Sequence, residues 1–230
     1  MNDFNVKFGI IGIDHRHVYT QAQFLVELGA ELAGWYTEGS PNTLAGFTKR
    51  FPKAKRFTDP RSLLEDPNIQ VILTSAIPSE RAKISIAAMN HGKDVMSDKP
   101  GCLSFSDLEE LRQTVQQTGR IWSVDFSERF EVPAVTLASQ LVSDGAIGDV
   151  IHTLGLGPHR MNAGSRPDWF FDPKRNGGIL ADIGSHQIDQ FLYFTHSKHA
   201  EITLASIRNM GHQDFLDFSD FGEIALRSEK

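Results

Sequence analysis

The chain lacks several features that would point to a particular partner or compartment. Its 230 residues include one cysteine, Cys102, so neither an intrachain disulfide nor a zinc site built on cysteines is expected. The formal net charge is −6 with no basic block, which argues against a nucleic-acid partner. No apolar run is long enough for a membrane span, and no export signal is visible. We therefore expect a cytoplasmic protein with no membrane partner and no metal.

What is present is a regular rhythm in the first half of the chain. Because apolar runs alternate with amphipathic stretches of helical length, the pattern predicts a parallel sheet covered by helices. Ser106 and Glu109 form a capping box that predicts the start of one of these helices, and Gly119 predicts its end. The apolar runs lie near residues 6–13, 31–36, 69–75, 93–97 and 121–126.

The rhythm changes after about residue 126. A long segment rich in Gly, Pro, Arg and Asn, from Pro158 to Gly177, has the length and composition of a functional loop. The elements predicted around it are helices near 133–144 and 179–195 and strands near 149–157, 201–208 and 221–227.

A glycine turn follows the first predicted strand, where Gly12-Ile13-Asp14-His15 leads into a helix. In a dinucleotide-binding fold such a turn holds the pyrophosphate at the helix N-terminus. The second and third glycine positions of the G-x-G-x-x-G pattern are occupied here by Asp14 and His17. Two interpretations stay open: an altered phosphate turn, or an ordinary strand–helix turn with Asp14 as N-cap.

Thr37 and Glu38 end the second apolar run, where an acidic side chain would bind ribose hydroxyls. No Lys or Arg follows until Lys49, so the obvious partner of a 2′-phosphate is missing. This favours NAD as the cofactor, with NADP not excluded. The alternative is that Glu38 is a solvated loop charge.

Two further segments carry groups suited to proton transfer. Asp182 and His186 stand four residues apart at the start of a predicted helix, and Lys99 precedes Pro100 after the fourth apolar run. The spacing places Asp182 and His186 on one helix face. The alternatives are a carboxylate stabilised by the helix dipole, an ordinary satisfied histidine and a solvent-facing lysine.

Taken together, five segments resemble the Gfo/Idh/MocA family of oxidoreductases, in order along essentially the whole chain. They are the Gly12 turn, Ile77-Pro78, the His91–Val95 segment, Asp98-Lys99-Pro100 and the Gly177–Asp189 segment. The resemblance implies an α/β protein whose residues 1–126 form an NAD(P)-binding Rossmann domain with a parallel sheet. Residues 127–230 are then a C-terminal α+β domain for substrate binding and oligomerisation, with an open, mainly antiparallel sheet that looks shortened and incomplete.

The resemblance also implies the activity: hydride transfer between a nicotinamide cofactor and a sugar, cyclitol or related hydroxy compound. Lys99, Asp182 and His186 fall on the family's catalytic positions. His186 is assigned as general base and acid, Lys99 as the group that polarises the substrate oxygen, and Asp182 as an orienting group. Which of Lys99 and His186 moves the proton stays open. The implied cofactor-binding residues are Gly12, Ile13, Asp14, His15, Thr37, Glu38, Ser75, Ala76, Ile77, Asp98 and Lys99.

The loop after Pro158 supplies the expected substrate contacts, for which we select His159, Arg160 and Trp169. Asp14 and His17 depart from the family's glycine turn, Thr37 from its usual aspartate, and Ala82 from a common histidine. These departures keep an alternative open: a non-catalytic dinucleotide- or sugar-binding regulator, or an inactive fragment of an enzyme. An open sheet further predicts a homo-oligomer.

Overall fold

The computed structural model describes residues 6–230. The chain divides into two compact units, one ending at Asp125 and the other running from Phe126 to Lys230. No helix within the described residues has both the length and the apolar character needed to cross a lipid bilayer.

The first unit is built on a five-stranded parallel sheet with the strand order β2-β1-β3-β4-β5. The predicted parallel sheet is therefore confirmed, and the carboxyl ends of its strands share one edge. A doubly wound sheet of this kind binds ligands outside that edge, where the strand order reverses. The strands are β1 (Lys7–Ile11), β2 (Glu31–Tyr36), β3 (Val71–Thr74), β4 (Asp94–Asp98) and β5 (Trp122–Asp125).

Two apolar clusters fill the two faces of this sheet, because successive side chains of a strand point to opposite sides. Phe8 and Ile10 belong to one cluster, and Ile11 and Ile72 belong to the other. Helices cover both clusters. They are α1 (Val18–Glu27), α2 (Leu44–Arg50), α3 (Arg61–Leu64), α4 (Pro78–Asn90) and α5 (Phe105–Thr118).

The start of α5 differs from the prediction. Ser104 is its N-cap and accepts a hydrogen bond from the backbone N–H of Asp107 at 3.0 Å, so the predicted capping box of Ser106 and Glu109 is wrong by two residues. Both segments carry a serine followed by an acid three residues later, and the pattern alone did not separate them. The predicted end is confirmed, since Gly119 caps α5 in the left-handed region with φ 64°.

The second unit combines helices with a two-stranded antiparallel sheet, in agreement with the predicted fold class. Its α-helices are α6 (Ser127–Phe130), α7 (Pro133–Ser143), α8 (Pro173–Asn176) and α9 (Ser185–Phe194); the 3₁₀ segments are Ala163–Ser165 and Asp168–Phe171, the π turn is Leu180–Gly184, and the strands are β6 (Ala200–Arg208) and β7 (Phe221–Ser228). Five of its helical segments are no longer than about one turn: two 3₁₀ segments, one π turn and the two shortest α-helices, α6 and α8.

The strand predicted near 149–157 is wrong. Residues 150–162 have no regular secondary structure, and Ile151, Leu154 and Leu156 are exposed. A strand needs a neighbour to complete its hydrogen bonds, and within residues 6–230 the second sheet pairs only β6 with β7. The apolar residues of this segment are therefore present without a strand to pair with.

Candidate active site

The turn after β1 packs tightly against the end of β3. Gly12 has φ +82°, and a Cβ placed on it would lie 2.4 Å from the Cβ of Ala76. The backbone N–H of Ser75 donates to the Gly12 carbonyl at 3.1 Å, and that of His15 donates to the Ser75 carbonyl at 2.9 Å. Only glycine fits at position 12, because any side chain would be strained and would collide with Ala76.

The helix after this turn begins later than expected. The N-cap of α1 is His17, with no side-chain capping bond, and its first helical residue is Val18. The alternative that made Asp14 the N-cap is therefore wrong, because Asp14 lies three residues before the capping position.

Asp98, at the end of β4, holds two side chains of the turn. His15 Nδ1 lies 2.8 Å from Asp98 Oδ2, and His17 Nδ1 lies 2.9 Å from Asp98 Oδ1. The two imidazole rings contact each other edge to face, with centroids 4.1 Å apart. One carboxylate therefore fixes both histidines of the altered glycine pattern.

Arg81 of α4 stabilises the charge of Asp98 from the other side. Its Nη2 donates to Asp98 Oδ2 at 3.1 Å, while its other nitrogens donate to the carbonyls of Ala76, Asp98, Lys99 and Pro100. Burial opposes ionisation of Asp98, but Arg81 and the two histidines outweigh it and hold the pKa of this carboxyl well below its usual range. Asp98 is thus an ionised acceptor at physiological pH.

His15 is neutral at the same pH. Burial lowers its pKa to about 4, against the opposing effect of Asp98. His15, His17 and Asp98 also satisfy the spacing of a three-residue metal site. However, Arg81 donates to the same carboxylate, so a cation would lie beside a fixed positive charge. We therefore interpret the three residues as a hydrogen-bonded cluster.

Further predicted cofactor residues lie along the same edge of the sheet. Thr37 follows β2 and is buried, and its Oγ1 has no hydrogen-bond partner within the described residues. A buried hydroxyl without a partner is costly, and a ribose hydroxyl would satisfy it, so the residues fit a dinucleotide here. The Ile13 carbonyl accepts a hydrogen bond from Thr43 Oγ1, Ile77 precedes α4 as its N-cap, and Glu38 is exposed.

Lys99 lies at the end of β4 and is only 3% exposed. The interpretation of Lys99 as a solvent-facing charge is therefore wrong. Its peptide bond to Pro100 is cis, and its carbonyl accepts a hydrogen bond from Arg81. A buried lysine at the ligand edge of a parallel sheet is unusual, which makes it a functional candidate.

The remaining two catalytic candidates lie in the second unit. Asp182 belongs to the π turn, a form of helix that is rare and frequently found at functional sites. His186 follows in the first turn of α9, is 2% exposed, and contacts the ring of Phe126 with a centroid distance of 6.2 Å. Lys99 belongs to the first unit and these two residues to the second.

A cavity of about 120 Å³ lies within the second unit. Two of the three loop residues selected from the sequence, His159 and Arg160, line it, and so do Arg166 and Asp182. Trp169 is not among the lining residues; it contacts Phe170 at 6.4 Å. The sequence did not identify the other lining residues, which are Met161, Phe170, Asn176, Gly178, Ile179, Ile183, His212, Phe218, Ser219 and Asp220.

His212 and Asp220 form an ordered pair at this cavity. His212 Nδ1 lies 2.7 Å from Asp220 Oδ2. The backbone N–H groups of Met210 and Gly211 donate to the same carboxylate at 2.7 and 2.8 Å. The hydrogen bond from Met210, followed by those from His212 and Gly211, lowers the pKa of Asp220 to about 2. The only signal in the sequence was the polar and aromatic composition of the segment between the last two predicted strands.

Both halves of the chain match models of known protein families. Residues 6–126 match an oxidoreductase family with an NAD-binding Rossmann fold, and residues 135–230 match the GFO/IDH/MocA C-terminal domain. The two matches follow each other without overlap and together cover most of the chain.

Characterised relatives include two sugar or polyol dehydrogenases. Levoglucosan dehydrogenase of Pseudarthrobacter phenanthrenivorans is 30% identical over 159 residues, which are 68% of this chain and 40% of the relative. The NAD⁺-dependent scyllo-inositol 2-dehydrogenase of Bacillus subtilis is 32% identical over 148 residues, or 64% and 41%. The chain thus matches about two fifths of the length of these relatives.

Solved structures share the fold. A protein from Erwinia carotovora atroseptica superimposes with a TM-score of 0.95 at 39% identity, covering 98% of this chain and 67% of that one. The myo-inositol 2-dehydrogenase of Lactobacillus plantarum gives a TM-score of 0.83 at 23% identity, with 98% and 67% covered.

Proposed function

We propose a function from one premise: the chain belongs to the GFO/IDH/MocA family of oxidoreductases, as its two family matches show. We infer that it acts in hydride transfer between a nicotinamide cofactor and the CH–OH group of a sugar, cyclitol or related compound. Residues 1–126 bind the dinucleotide, with NAD preferred, and residues 127–230 bind the substrate.

The observation that carries this proposal is the carboxyl edge of the parallel sheet. It bears the tight turn at Gly12, the unpartnered hydroxyl of Thr37 and the buried Lys99. These features follow β1, β2 and β4, so they line the crevice in which such sheets bind nucleotides. The Ser75–Ile77 segment closes the same edge after β3.

The cofactor supplies a hydride acceptor or donor. Loss of hydride from an alcohol carbon yields a carbonyl only when the hydroxyl proton also leaves. In our assignment an imidazole nitrogen of His186 takes that proton. The Lys99 ammonium donates a hydrogen bond to the substrate oxygen and stabilises its developing negative charge. Asp182 accepts a hydrogen bond from a substrate hydroxyl and orients the substrate.

The cavity of the second unit supports a polyol or sugar as the substrate. Its lining combines hydrogen-bonding side chains such as Arg160, Asn176 and Asp182 with the aromatic ring of Phe170. Such a mixture suits a compact ligand with many hydroxyl groups and apolar C–H faces. Levoglucosan and scyllo-inositol, the compounds after which the two dehydrogenase relatives are named, belong to this class.

The proposal is tested by calorimetric titration with NADH and NADPH, followed by a turnover screen of sugars and cyclitols. Lys99→Met and His186→Ala should each abolish turnover and leave cofactor binding largely intact. The exposed residues Lys83 and His199 provide matched controls, since Lys83→Met and His199→Ala should retain turnover. If the folded protein binds neither nucleotide, the enzyme hypothesis is contradicted, and the hypothesis of a non-catalytic regulator or an inactive fragment is favoured.

We also propose that the chain forms a homo-oligomer through its C-terminal sheet. Ile202, Leu204 and Ile207 of β6 are each at least half exposed, and apolar strands of this kind favour pairing with another chain. Light scattering should give a mass above 25.6 kDa, and Leu204→Glu should lower it. A monomer at micromolar concentration would contradict this.

A cytoplasmic location is proposed on the single cysteine, Cys102, because proteins of reducing compartments rarely depend on disulfides. Cell fractionation of the natural host tests it. Recovery in an exported fraction would contradict the proposal.

A further inference from the structure

The most unusual feature of the first unit is that two histidines of the turn share one buried carboxylate. Asp98 is fully buried and accepts from His15 and His17 through its two oxygens, at 2.8 and 2.9 Å. His17 stands in place of the third glycine of a phosphate turn, and His15 stands at a position for which the pattern specifies no residue. The cluster therefore needs its own explanation.

The charge of Asp98 determines where each imidazole carries its proton. Arg81 donates to Oδ2 at 3.1 Å and keeps the carboxylate ionised, so Asp98 acts only as an acceptor. Each histidine must then carry hydrogen on Nδ1. In the neutral ring this leaves Nε2 as an acceptor, and a second proton would convert it into a donor. Both side chains remain partly exposed, at 17% and 24%.

The position of the rings indicates the ligand. They belong to the turn between β1 and α1, where a Rossmann fold places the pyrophosphate. The backbone N–H of His15 already donates to the Ser75 carbonyl at 2.9 Å and cannot also bind a phosphate. Imidazole side chains thus occupy a turn in which backbone groups ordinarily hold the anion.

We propose that His15 and His17 bind the pyrophosphate of the dinucleotide through Nε2 and that at least one proton is taken up as the anion binds. This rests on the proposed function, because it assumes a dinucleotide at this edge. Asp98 is a positioning residue, since it holds both rings from the side opposite to Nε2.

The surrounding charges give the sign of the pH dependence. Burial, His17 and Lys99 lower the pKa of His15, while Asp98 raises it. A bound pyrophosphate would raise the pKa of the His15 ring, so binding is strongest below the free-state pKa and weakens as pH rises through the bound-state value. The ionisable groups of the turn and the elements beside it are Asp14, Arg16, Arg81, Asp98, Lys99 and Asp125.

Calorimetric titration with NADH in phosphate-free buffers tests the proposal directly. Each pH from 6 to 8 is measured in two buffers of different ionisation enthalpy, because the difference in heat gives the number of protons taken up. We expect a net uptake and an affinity that rises as pH falls, by up to about tenfold per pH unit for one coupled proton.

Three variants separate the histidines from their surroundings. His15→Gln and His17→Gln retain a donor toward Asp98 but cannot become cations, so each should weaken NADH binding at pH 6 more than at pH 8. His91→Gln is the matched control, because His91 is exposed in the same unit and its Nδ1 bonds to the Ala87 carbonyl of its own helix turn. Its NADH binding and proton uptake should equal those of the wild type.

A second measurement requires no dinucleotide. Nitrogen chemical shifts of the histidine rings should show hydrogen on Nδ1 of both residues, and addition of inorganic pyrophosphate at pH 6 should protonate Nε2. Adenosine, which has no phosphate, should leave the rings unchanged. Rings that carry hydrogen on Nε2 in the free protein would overturn the inference.

The outcomes separate this inference from the proposed function. NADH binding without proton uptake, unaffected by His15→Gln and His17→Gln, would overturn the inference and leave the oxidoreductase standing. If neither nicotinamide binds but pyrophosphate protonates the rings, the proposed function fails and the anion site remains. Stoichiometric Zn²⁺ binding that is lost in both variants would assign the cluster to a metal and overturn the proposal.

Discussion

The two units each hold a histidine–aspartate arrangement, but they keep the aspartate ionised by different means. In the first unit Asp98 is fully buried and depends on the charge of Arg81. In the second unit the side chain of Asp220 is partly exposed and depends on hydrogen bonds from two backbone amides and from His212. A buried carboxylate needs a full opposite charge to remain ionised, whereas one near water needs only hydrogen bonds. The first arrangement should therefore be costly to break and the second inexpensive.

The largest effect is expected for Arg81→Met. This change leaves Asp98 without its buried cation and removes a donor from several backbone carbonyls. We expect a loss of about 3–5 kcal/mol in the free energy of unfolding, measured by urea denaturation. Arg112→Met, at an exposed position of α5, is the control. If Arg81→Met costs less than about 1 kcal/mol more than Arg112→Met, the change has only the size of a surface effect. That result would contradict the role given to Arg81.

The next effect compares a crowded glycine of the first unit with an open one of the second. Gly12 and Gly178 both have positive φ, +82° and +77°, but only the Cβ added at Gly12 would meet another atom within 4 Å. Gly12→Ala should cost about 2–4 kcal/mol, from backbone strain plus overpacking. Gly178→Ala should cost about 1–2 kcal/mol, from strain alone. If thermal denaturation shows the same loss of stability for both variants, Ala76 can move away from the added methyl group at no cost in free energy.

A smaller loss of stability is expected when the ion pair between Arg129 and Asp189 in the second unit is altered. Arg129 of α6 donates twice to Asp189 of α9, at 2.5 and 2.9 Å, and both side chains are mostly buried. Lysine keeps the charge but loses the two-pronged geometry, so Arg129→Lys should cost about 1 kcal/mol. The exposed pair of Arg227 and Glu201, at 3.4 Å, is the control. Arg227→Lys should change the free energy of unfolding by less than about 0.5 kcal/mol. If Arg129→Lys and Arg227→Lys cost the same, burial does not strengthen the Arg129–Asp189 pair.

The smallest effect is a pH dependence that originates at Asp220. Its pKa is lowered from 3.8 to about 2 in the folded chain, so its stabilising contribution is complete above the unfolded value and disappears as pH falls through the folded value. Asp220→Asn should flatten the fall in melting temperature between pH 4 and pH 2. Asp217→Asn, an exposed neighbour, should leave that fall unchanged. Identical profiles for all three proteins would show that the hydrogen bonds from Met210, Gly211 and His212 do not stabilise the carboxylate.

Most of the first unit could be predicted because its signals are local. Each buried strand is a short apolar run, and the glycine that ends α5 stands at the position where its left-handed φ is needed. The prediction of a strand near 149–157 was wrong because pairing depends on a partner elsewhere in the chain, which the residues of the segment itself cannot reveal. The predicted capping box was wrong because Ser104 and Ser106 both fit the N-cap pattern and lie only two residues apart.

The arrangement of the sites was less accessible than their residues. Asp98 and His15 were both named as cofactor candidates, yet their contact joins positions 83 residues apart. Likewise His212 and Asp220 became neighbours through the fold of the connection between β6 and β7, and their pairing carries no local pattern. The catalytic assignments of Lys99, Asp182 and His186 remain predictions, supported by the burial of Lys99 and His186.

The length of the Asp98 side chain decides which acidic residue this position can hold. Glutamate carries the same charge as aspartate but is longer by one methylene group. At a fully buried position whose oxygens already meet His15, His17 and Arg81, that extra group would displace all three partners at once. Position 98 therefore accepts the shorter of the two acidic side chains only, for as long as His15, His17 and Arg81 keep these contacts.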